Sequence, residues 1–217
     1  MSGYVSLNER RHRAHAKLLA AVGTGRRVLD VGCSSGYLAQ PLSECGNTIV
    51  GVELDPVAAR AAEAFCERVL VGDVETMELP LEPGSFDAVL CGDVVEHLRD
   101  PGAALARLRP FLKPGGRIVL STPNVANWAI RLSLLGGRWR YTDRGILDRT
   151  HTHLFTRATL TEALHSAGYD HVEIDFSAPV PGDSDLLDGL GRAVGRLRPQ
   201  LFAYQWIAIG RVAQTAP

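Results

Sequence analysis

Lysine is nearly missing from this chain: only Lys17 and Lys113 occur, and arginine makes up the rest of the 23 basic residues. The skew carries no functional weight by itself. Against 24 acidic residues it leaves a formal net charge of -1, which excludes a uniformly basic surface built for nucleic acid but leaves local basic patches open. Cysteine is scarce as well. Cys33, Cys45, Cys66 and Cys91 form no CxxC motif, and core thiols are the expectation. No apolar run is long enough to cross a bilayer, and Met1-Ser2-Gly3-Tyr4 is not the basic-then-apolar opening of a signal peptide. No membrane partner and a cytoplasmic location are therefore expected. There is no internal repeat or low-complexity tract, and 217 residues suit one large core better than two small ones.

Short β-rich runs alternate with helical patterns, the sign of a mostly parallel sheet covered by helices. Strands are expected at Arg27–Val31, Thr48–Glu53, Arg68–Val71, Phe86–Cys91 and Arg117–Ser121. Asp55-Pro56 and Asp100-Pro101 each supply a cap followed by proline at the first helical position. The first helix is expected to turn Val57, Ala61, Ala64 and Phe65 to one face, and the second Leu105, Leu108 and Leu112, with Lys113-Pro114-Gly115-Gly116 as its stop. Thr156 caps a further helix that ends at Gly168. Two last strands, His171–Phe176 and Phe202–Ile209, flank a helix at 186–196. With no long crossover between them they are expected to pair antiparallel at the sheet edge. The termini, residues 1–6 and 214–217, are expected to be mobile.

The first strand runs into Asp30-Val31-Gly32-Cys33-Ser34-Ser35-Gly36-Tyr37, where small residues let backbone approach a ligand at a helix start. Val28 to Gly36 resembles the first motif of class I S-adenosylmethionine-dependent methyltransferases, an apolar strand followed by Asp-x-Gly-x-Gly-x-Gly, with Ser34 in place of the middle glycine. A glycine loop alone is weak evidence. Three further pieces follow in order: Ile49 to Glu53, with an acid at the strand end placed to accept ribose hydroxyls; Val71-Gly72-Asp73-Val74; and Phe86 to Asp93. The resemblance covers Arg26–Val125. It implies a Rossmann-like α/β fold with a seven-stranded, mostly parallel sheet, an antiparallel final strand and helices on both faces. It also implies S-adenosylmethionine as cofactor, bound by Asp30, Gly32, Cys33, Ser34, Gly36, Tyr37, Glu53, Leu54, Asp73, Val74, Cys91 and Gly92. In that family Asp73 lies near the adenine amino group and Val74 on the ring. Asp55 competes with Glu53 but is better used as a helix cap. A nicotinamide-dependent dehydrogenase opens the same way but explains neither Asp73-Val74 nor the antiparallel ending.

In the implied reaction the sulfonium methyl is attacked in line by an acceptor atom, so the protein chiefly orients the reactants and manages one proton. Orientation is worth about 7–11 kcal/mol in favourable systems, and a general base roughly 10²- to 10⁴-fold. Bases cluster at Asp93-Val94-Val95-Glu96-His97 and at Asp148 to Thr156. On a helical turn residues 93, 96 and 97 would share one side. Together they resemble the acid-x-x-Glu-His plus distant histidine of metal-dependent small-RNA 2′-O-methyltransferases, and Glu96-His97 resembles ubiquinone-pathway O-methyltransferases. That resemblance implies a divalent metal, held by Asp93, Glu96, His97 and His151. The metal-free alternative, with His151 and His97 as catalytic groups, is the reading adopted, because small-molecule members carry Glu-His without evident metal.

Residues 124–157 are too long for a simple connection and form the expected acceptor lid. They carry Trp128, Trp139, Tyr141 and six arginines (131, 138, 140, 144, 149, 157) against Asp143 and Asp148, a formal +4. This points to an anionic or glycosylated small-molecule acceptor, and Ile146 to His151 resembles methyltransferases of bacterial polysaccharide and secondary-metabolite clusters. Residues 1–25 are expected to be an N-terminal helical cap, with a helix at Ser6–Val22, and 26–217 the methyltransferase domain. That helix would either close over the cofactor with Tyr4 or be a solvated amphipathic helix, the latter being preferred. A small-molecule O-methyltransferase leads. An RNA 2′-O-methyltransferase and a non-catalytic cofactor-binding partner of another enzyme remain as alternatives, and homodimerisation is open.

Overall fold

The chain was analysed as a computed structural model, which describes residues 9–178 and 195–212, with side chains from Ala14 onward. The expected strands form because each apolar run can bury both of its faces. β1 (Arg27–Val31), β2 (Thr48–Glu53), β3 (Arg68–Val71), β4 (Phe86–Gly92) and β5 (Leu112–Pro123) lie parallel. β6 (Asp170–Ser177) and β7 (Gln205–Arg211) complete one sheet in the order β3-β2-β1-β4-β5-β7-β6. β7 runs antiparallel to both β5 and β6. The chain winds outward from β1 to β3 and returns to β4, so β1 and β4 flank the switch point, where open α/β sheets bind ligands at the carboxyl ends of their strands.

Alternate residues of each strand feed two cores. Leu29, Val31, Val89, Ile118 and Leu120 face α4 (Pro101–Leu108) and α6 (Arg157–Ser166) through Leu105, Leu108, Leu160 and Leu164. Val28, Leu90, Val119 and Ile207 face α1 (Glu9–Val22) and α2 (Ala39–Glu44) through Leu18, Val22 and Leu42. The expected caps form: Asp55 and Asp100 carboxylates accept from the Val57 and Ala103 N–H groups, and Thr156 and Thr159 make a reciprocal capping box.

Several expectations need correction. α1 is not a solvated helix, because Ala14, Leu18 and Val22 are buried in the second core and Lys17 Nζ is tied to the Asp175 carboxylate and the Phe176 carbonyl. α3 (Pro56–Ala62) buries Ala59 and Ala62 and leaves Val57 exposed; it ends before Ala64 and Phe65, so those residues never join its register. Leu112 opens β5 rather than closing a helix, with a register shift opposite Phe86–Ala88 that absorbs residues 113–116. Phe202 ends a short α7 (Pro199–Phe202), and β7 starts at Gln205. Cys33 and Cys91 are buried thiols, whereas Cys45 is exposed. The terminal segments and all but the last two residues of the helix expected at 186–196 lie outside the described residues.

Candidate active site

The loop after β1 is shaped by positive-φ positions. Gly32 (φ 69°), Ser34 (φ 50°) and Gly36 (φ 86°) all sit in the left-handed region, so the serine at the middle position adopts the glycine-like conformation rather than altering the turn. A Cβ on Gly32 would lie 2.5 Å from Val94 Cγ2, and one on Gly36 2.7 Å from the Phe65 ring and 3.2 Å from Ala62 Cα. The loop is thus pressed against both the β4 end and α3, and its first two amides donate to the Val52 carbonyl at 2.8 and 3.2 Å.

Glu53 ties this loop to the next strand. Its Oε2 accepts from the Ser34 N–H at 2.8 Å and its Oε1 from the Asp55 N–H at 2.9 Å. Each carboxylate oxygen keeps further acceptor capacity. Asp30 is buried, and burial, then the neighbouring Cys66 and Glu53, push its carboxyl well above the usual range. Its Oδ2 has no hydrogen-bond partner, an acceptor suited to the cationic end of an amino-acid-bearing ligand. Leu54, just after β2, is exposed, and Val74, three residues past β3, is buried. Asp73 lies at the expected strand end, but its carboxylate is paired with the Arg99 guanidinium and accepts from the Glu75 N–H. Cys33 and Cys91 are buried; hydrogen bonding to Cys66 and burial for Cys33, and burial for Cys91, raise both thiols. Tyr37 donates to the Gly92 carbonyl at 3.4 Å, with His15 of α1 against its ring.

After β4, Glu96, His97 and His151 offer ligand atoms all within 4.8 Å of one another. Val95–His97 form a 3-10 turn, and the segment before α6 is fastened to it: Thr152 and His153 N–H groups donate to the Glu96 carbonyl, and Thr152 Oγ1 donates to Leu98 O at 2.7 Å. These bonds bring His151 to 4.8 Å from His97, ring centre to ring centre. His97 Nδ1 meets Thr150 O at 3.2 Å and His151 Nδ1 meets Ile146 O at 3.1 Å. A carbonyl accepts only, so each Nδ1 carries the proton and each Nε2 is left basic. Burial and the His151 imidazole lower the His97 pKa. Asp93 is not in this group. At φ 55° it lies before the turn rather than on it, and its Oδ1 accepts from Ser121 Oγ at 2.7 Å and Gln205 Nε2 at 2.6 Å.

Ser121 and Gln205 were not foreseen as partners of Asp93. The signal was a polar residue beside an apolar run, Ser121 after Ile118–Leu120 and Gln205 before Trp206–Ile209, but their meeting depends on β7 inserting beside β5, which local pattern does not encode. Glu75 was also missed. It accepts from the Arg99 and Asp100 N–H groups, and although burial works the other way, these bonds and the Arg99 guanidinium hold its carboxyl below the usual range.

Comparison with known proteins agrees with this geometry. A family model described as a methyltransferase domain matches residues 7–174. A ubiquinone biosynthesis O-methyltransferase of Paracidovorax citrulli is 33% identical over 155 residues, 67% of this chain and 64% of that protein. A probable S-adenosylmethionine-dependent methyltransferase of Mycolicibacterium smegmatis is 32% identical over 74% of this chain and 58% of its own length. The chain thus spans less than two thirds of these relatives. A crystal structure of an S-adenosylmethionine-dependent methyltransferase from Archaeoglobus fulgidus shares the fold with a TM-score of 0.67 at 22% identity, over 93% of this chain and 94% of that one. Loop, acidic strand ends, sheet order and matched family together make this chain a member of the class I S-adenosylmethionine-dependent methyltransferases.

Proposed function

We propose that the protein is an O-methyltransferase for a hydroxyl of a small metabolite, with His97 and His151 managing the hydroxyl proton. The observation that carries this reading is the convergence of Glu96, His97 and His151 within 4.8 Å, with both imidazoles held in one tautomer by backbone carbonyls. The names of relatives such as the Paracidovorax citrulli enzyme support oxygen as the acceptor atom. When bound, S-adenosylmethionine would supply the methyl group to the acceptor oxygen and be released as S-adenosylhomocysteine. The hydroxyl proton would pass to the Nε2 lone pair of His97 or His151. Burial and the neighbouring His151 lower the His97 pKa, which favours the neutral imidazole that a base needs.

The same donor set suits a divalent ion: one carboxylate and two carbonyl-backed imidazoles from Glu96, His97 and His151. Such an ion would supply Lewis acidity to the acceptor hydroxyl. Asp93 does not join it, being turned to Ser121 and Gln205. Turnover on a panel of hydroxylated acceptors tests the proposal. His151→Ala and His97→Ala should each lower kcat, the more important one by roughly 10²- to 10⁴-fold, with cofactor affinity changed by less than about twofold. Full kcat in both variants would overturn it, and unchanged turnover after EDTA treatment would assign the metal-free form.

A further inference from the structure

We infer that the outer edge of the acceptor lid is a docking surface for an anionic lipid membrane. α5 (Trp128–Leu135) buries none of its residues, although it is mostly apolar. Trp128, Leu132, Leu134, Leu135, Trp139 and Tyr141 are all exposed, Leu135 to 84%. They account for six of the eleven exposed large hydrophobic residues among the described ones, gathered in fourteen consecutive positions. The cluster is not a loose tail. Asn127 caps the helix through the Ala129 N–H and donates to the buried Ala203 carbonyl. Past the Gly136-Gly137 turn, Arg138 N–H donates to Ser133 O at 2.8 Å and Ser133 Oγ to Arg138 O at 2.8 Å, so the chain leaving the helix is held at its last turn. Ile146 and Leu147 are buried and seat the far end of the lid.

The cations decide what this surface fits. Arg138, Arg140 and Arg144 have no carboxylate within ion-pairing distance among the described residues, and Arg131 donates only to a backbone carbonyl. The two lid acids are already engaged, Asp143 by Arg149 and Asp148 by Thr150. A twofold contact with a second copy would set this patch against itself, bringing unpaired arginines together without acids to neutralise them. A single-stranded nucleic acid would use the arginines and aromatic rings, but not the exposed leucines. Aliphatic side chains, indole and phenol rings and unpaired arginines on one short helix and its return match the acyl boundary, interface and anionic headgroups of a bilayer. Among the described residues no helix is long and apolar enough to cross a membrane, so the contact is peripheral. The acceptor lid would then lie against the membrane surface, with the methyl-transfer site directly behind it.

The test is vesicle co-sedimentation of the full chain with liposomes of phosphatidylglycerol and phosphatidylcholine, or of phosphatidylcholine alone. It requires no turnover, so it is independent of the acceptor assignment. Binding should be strong on the mixed vesicles and at least tenfold weaker on phosphatidylcholine or in high salt. Each unpaired arginine is worth about fivefold near an anionic surface, so Arg138→Ala/Arg140→Ala/Arg144→Ala should weaken binding on the order of a hundredfold. Leu134→Ser/Leu135→Ser should weaken it about tenfold or more, with cofactor affinity as the control for folding. Absence of vesicle binding overturns the inference. So does a dimer abolished by the leucine variant, RNA binding without vesicle binding, or a loss of thermal stability in that variant, which would assign the helix to the chain's own packing.

Discussion

The ends of β1 to β4, proposed to hold the cofactor, and residues 124–157, proposed as the acceptor lid, are built by opposite means. At the ends of β1 to β4 the loop is tight enough that a single added carbon on Gly36 would meet a ring at 2.7 Å and a backbone atom at 3.2 Å. Glu53 and Asp30 are placed by strand ends, and the Cys33 and Cys91 side chains beside them are buried. In the proposed lid the base is pinned by hydrogen bonds to the Glu96 and Leu98 carbonyls, and the outer helix has no fully buried residue. A common cofactor calls for one rigid shape, while acceptors differ and are met by side chains on a variable insertion. Substitutions of similar size should therefore act very differently in the two regions.

The largest effect is expected at Gly36. Gly36→Ala puts a Cβ against Ala62 Cα, which cannot swing away as a side chain would, at a φ of 86° that L-residues rarely adopt. Left-handed backbone costs roughly 1–2 kcal/mol and overpacking typically about 1–3 kcal/mol, so the loop should move rather than accept the methyl. Calorimetry should show at least a hundredfold loss of S-adenosylmethionine affinity. A variant with near-native affinity would show that the loop is softer than its packing implies.

Asp30 separates binding from stability. Burial, then Cys66 and Glu53, raise its carboxyl in the folded protein, so the native state holds a proton that the unfolded state has lost. Stability of the cofactor-free protein therefore falls as pH rises from the ordinary carboxylate range towards the raised value. Asp30→Asn removes this pH dependence. It should stabilise the cofactor-free protein near neutral pH by about 1–3 kcal/mol while weakening cofactor binding. Thermal melts across pH, paired with calorimetry, check both signs, and a destabilised variant would mean that Asp30 is ionised and satisfied in the fold.

The same contrast explains what could be read from the sequence. The loop, the acid at the end of β2, the Asp-Pro caps and the succession of strands along the chain were legible because each depends on residues within one or two neighbouring elements, where glycine, proline and alternation have local physical meanings. His151 was legible as a chemical group, but its meeting with His97 depends on Thr152 reaching Glu96 and Leu98, contacts 54 to 56 residues apart. The Asp93 contact with Gln205 spans 112 residues and required β7 to insert beside β5. A helical turn was the natural reading of Asp93-Val94-Val95-Glu96-His97, and the left-handed backbone at Asp93 defeats it. The burial of α1 was hidden for another reason. Its core-facing residues include small alanines among arginines and histidines, so its amphipathic face looked weak until the sheet it covers was present.

Ser34 offers a finer test within the rigid half. It holds φ 50° where the family motif has glycine, and its N–H is engaged by Glu53. Ser34→Gly relieves about 1 kcal/mol of left-handed strain, offset in part by the extra freedom of glycine in the unfolded chain, so melting should shift upward by a small amount with cofactor affinity kept or slightly raised.

The smallest effect is expected on the lid. Leu135→Ser changes a side chain 84% exposed, whereas Leu164→Ser makes the same change at a residue with no exposure in the core beneath α6. The core variant loses the transfer energy of an isobutyl group, leaves a cavity and buries a hydroxyl, and should cost on the order of 3 kcal/mol or more. The lid variant should stay within about 0.5 kcal/mol of the parent, as surface positions do. Denaturant melts of the two proteins measure the difference directly. A cost for Leu135→Ser approaching that of Leu164→Ser would place the lid helix inside the fold's own cooperative unit and erase the distinction between a packed cofactor half and an outward-facing acceptor half.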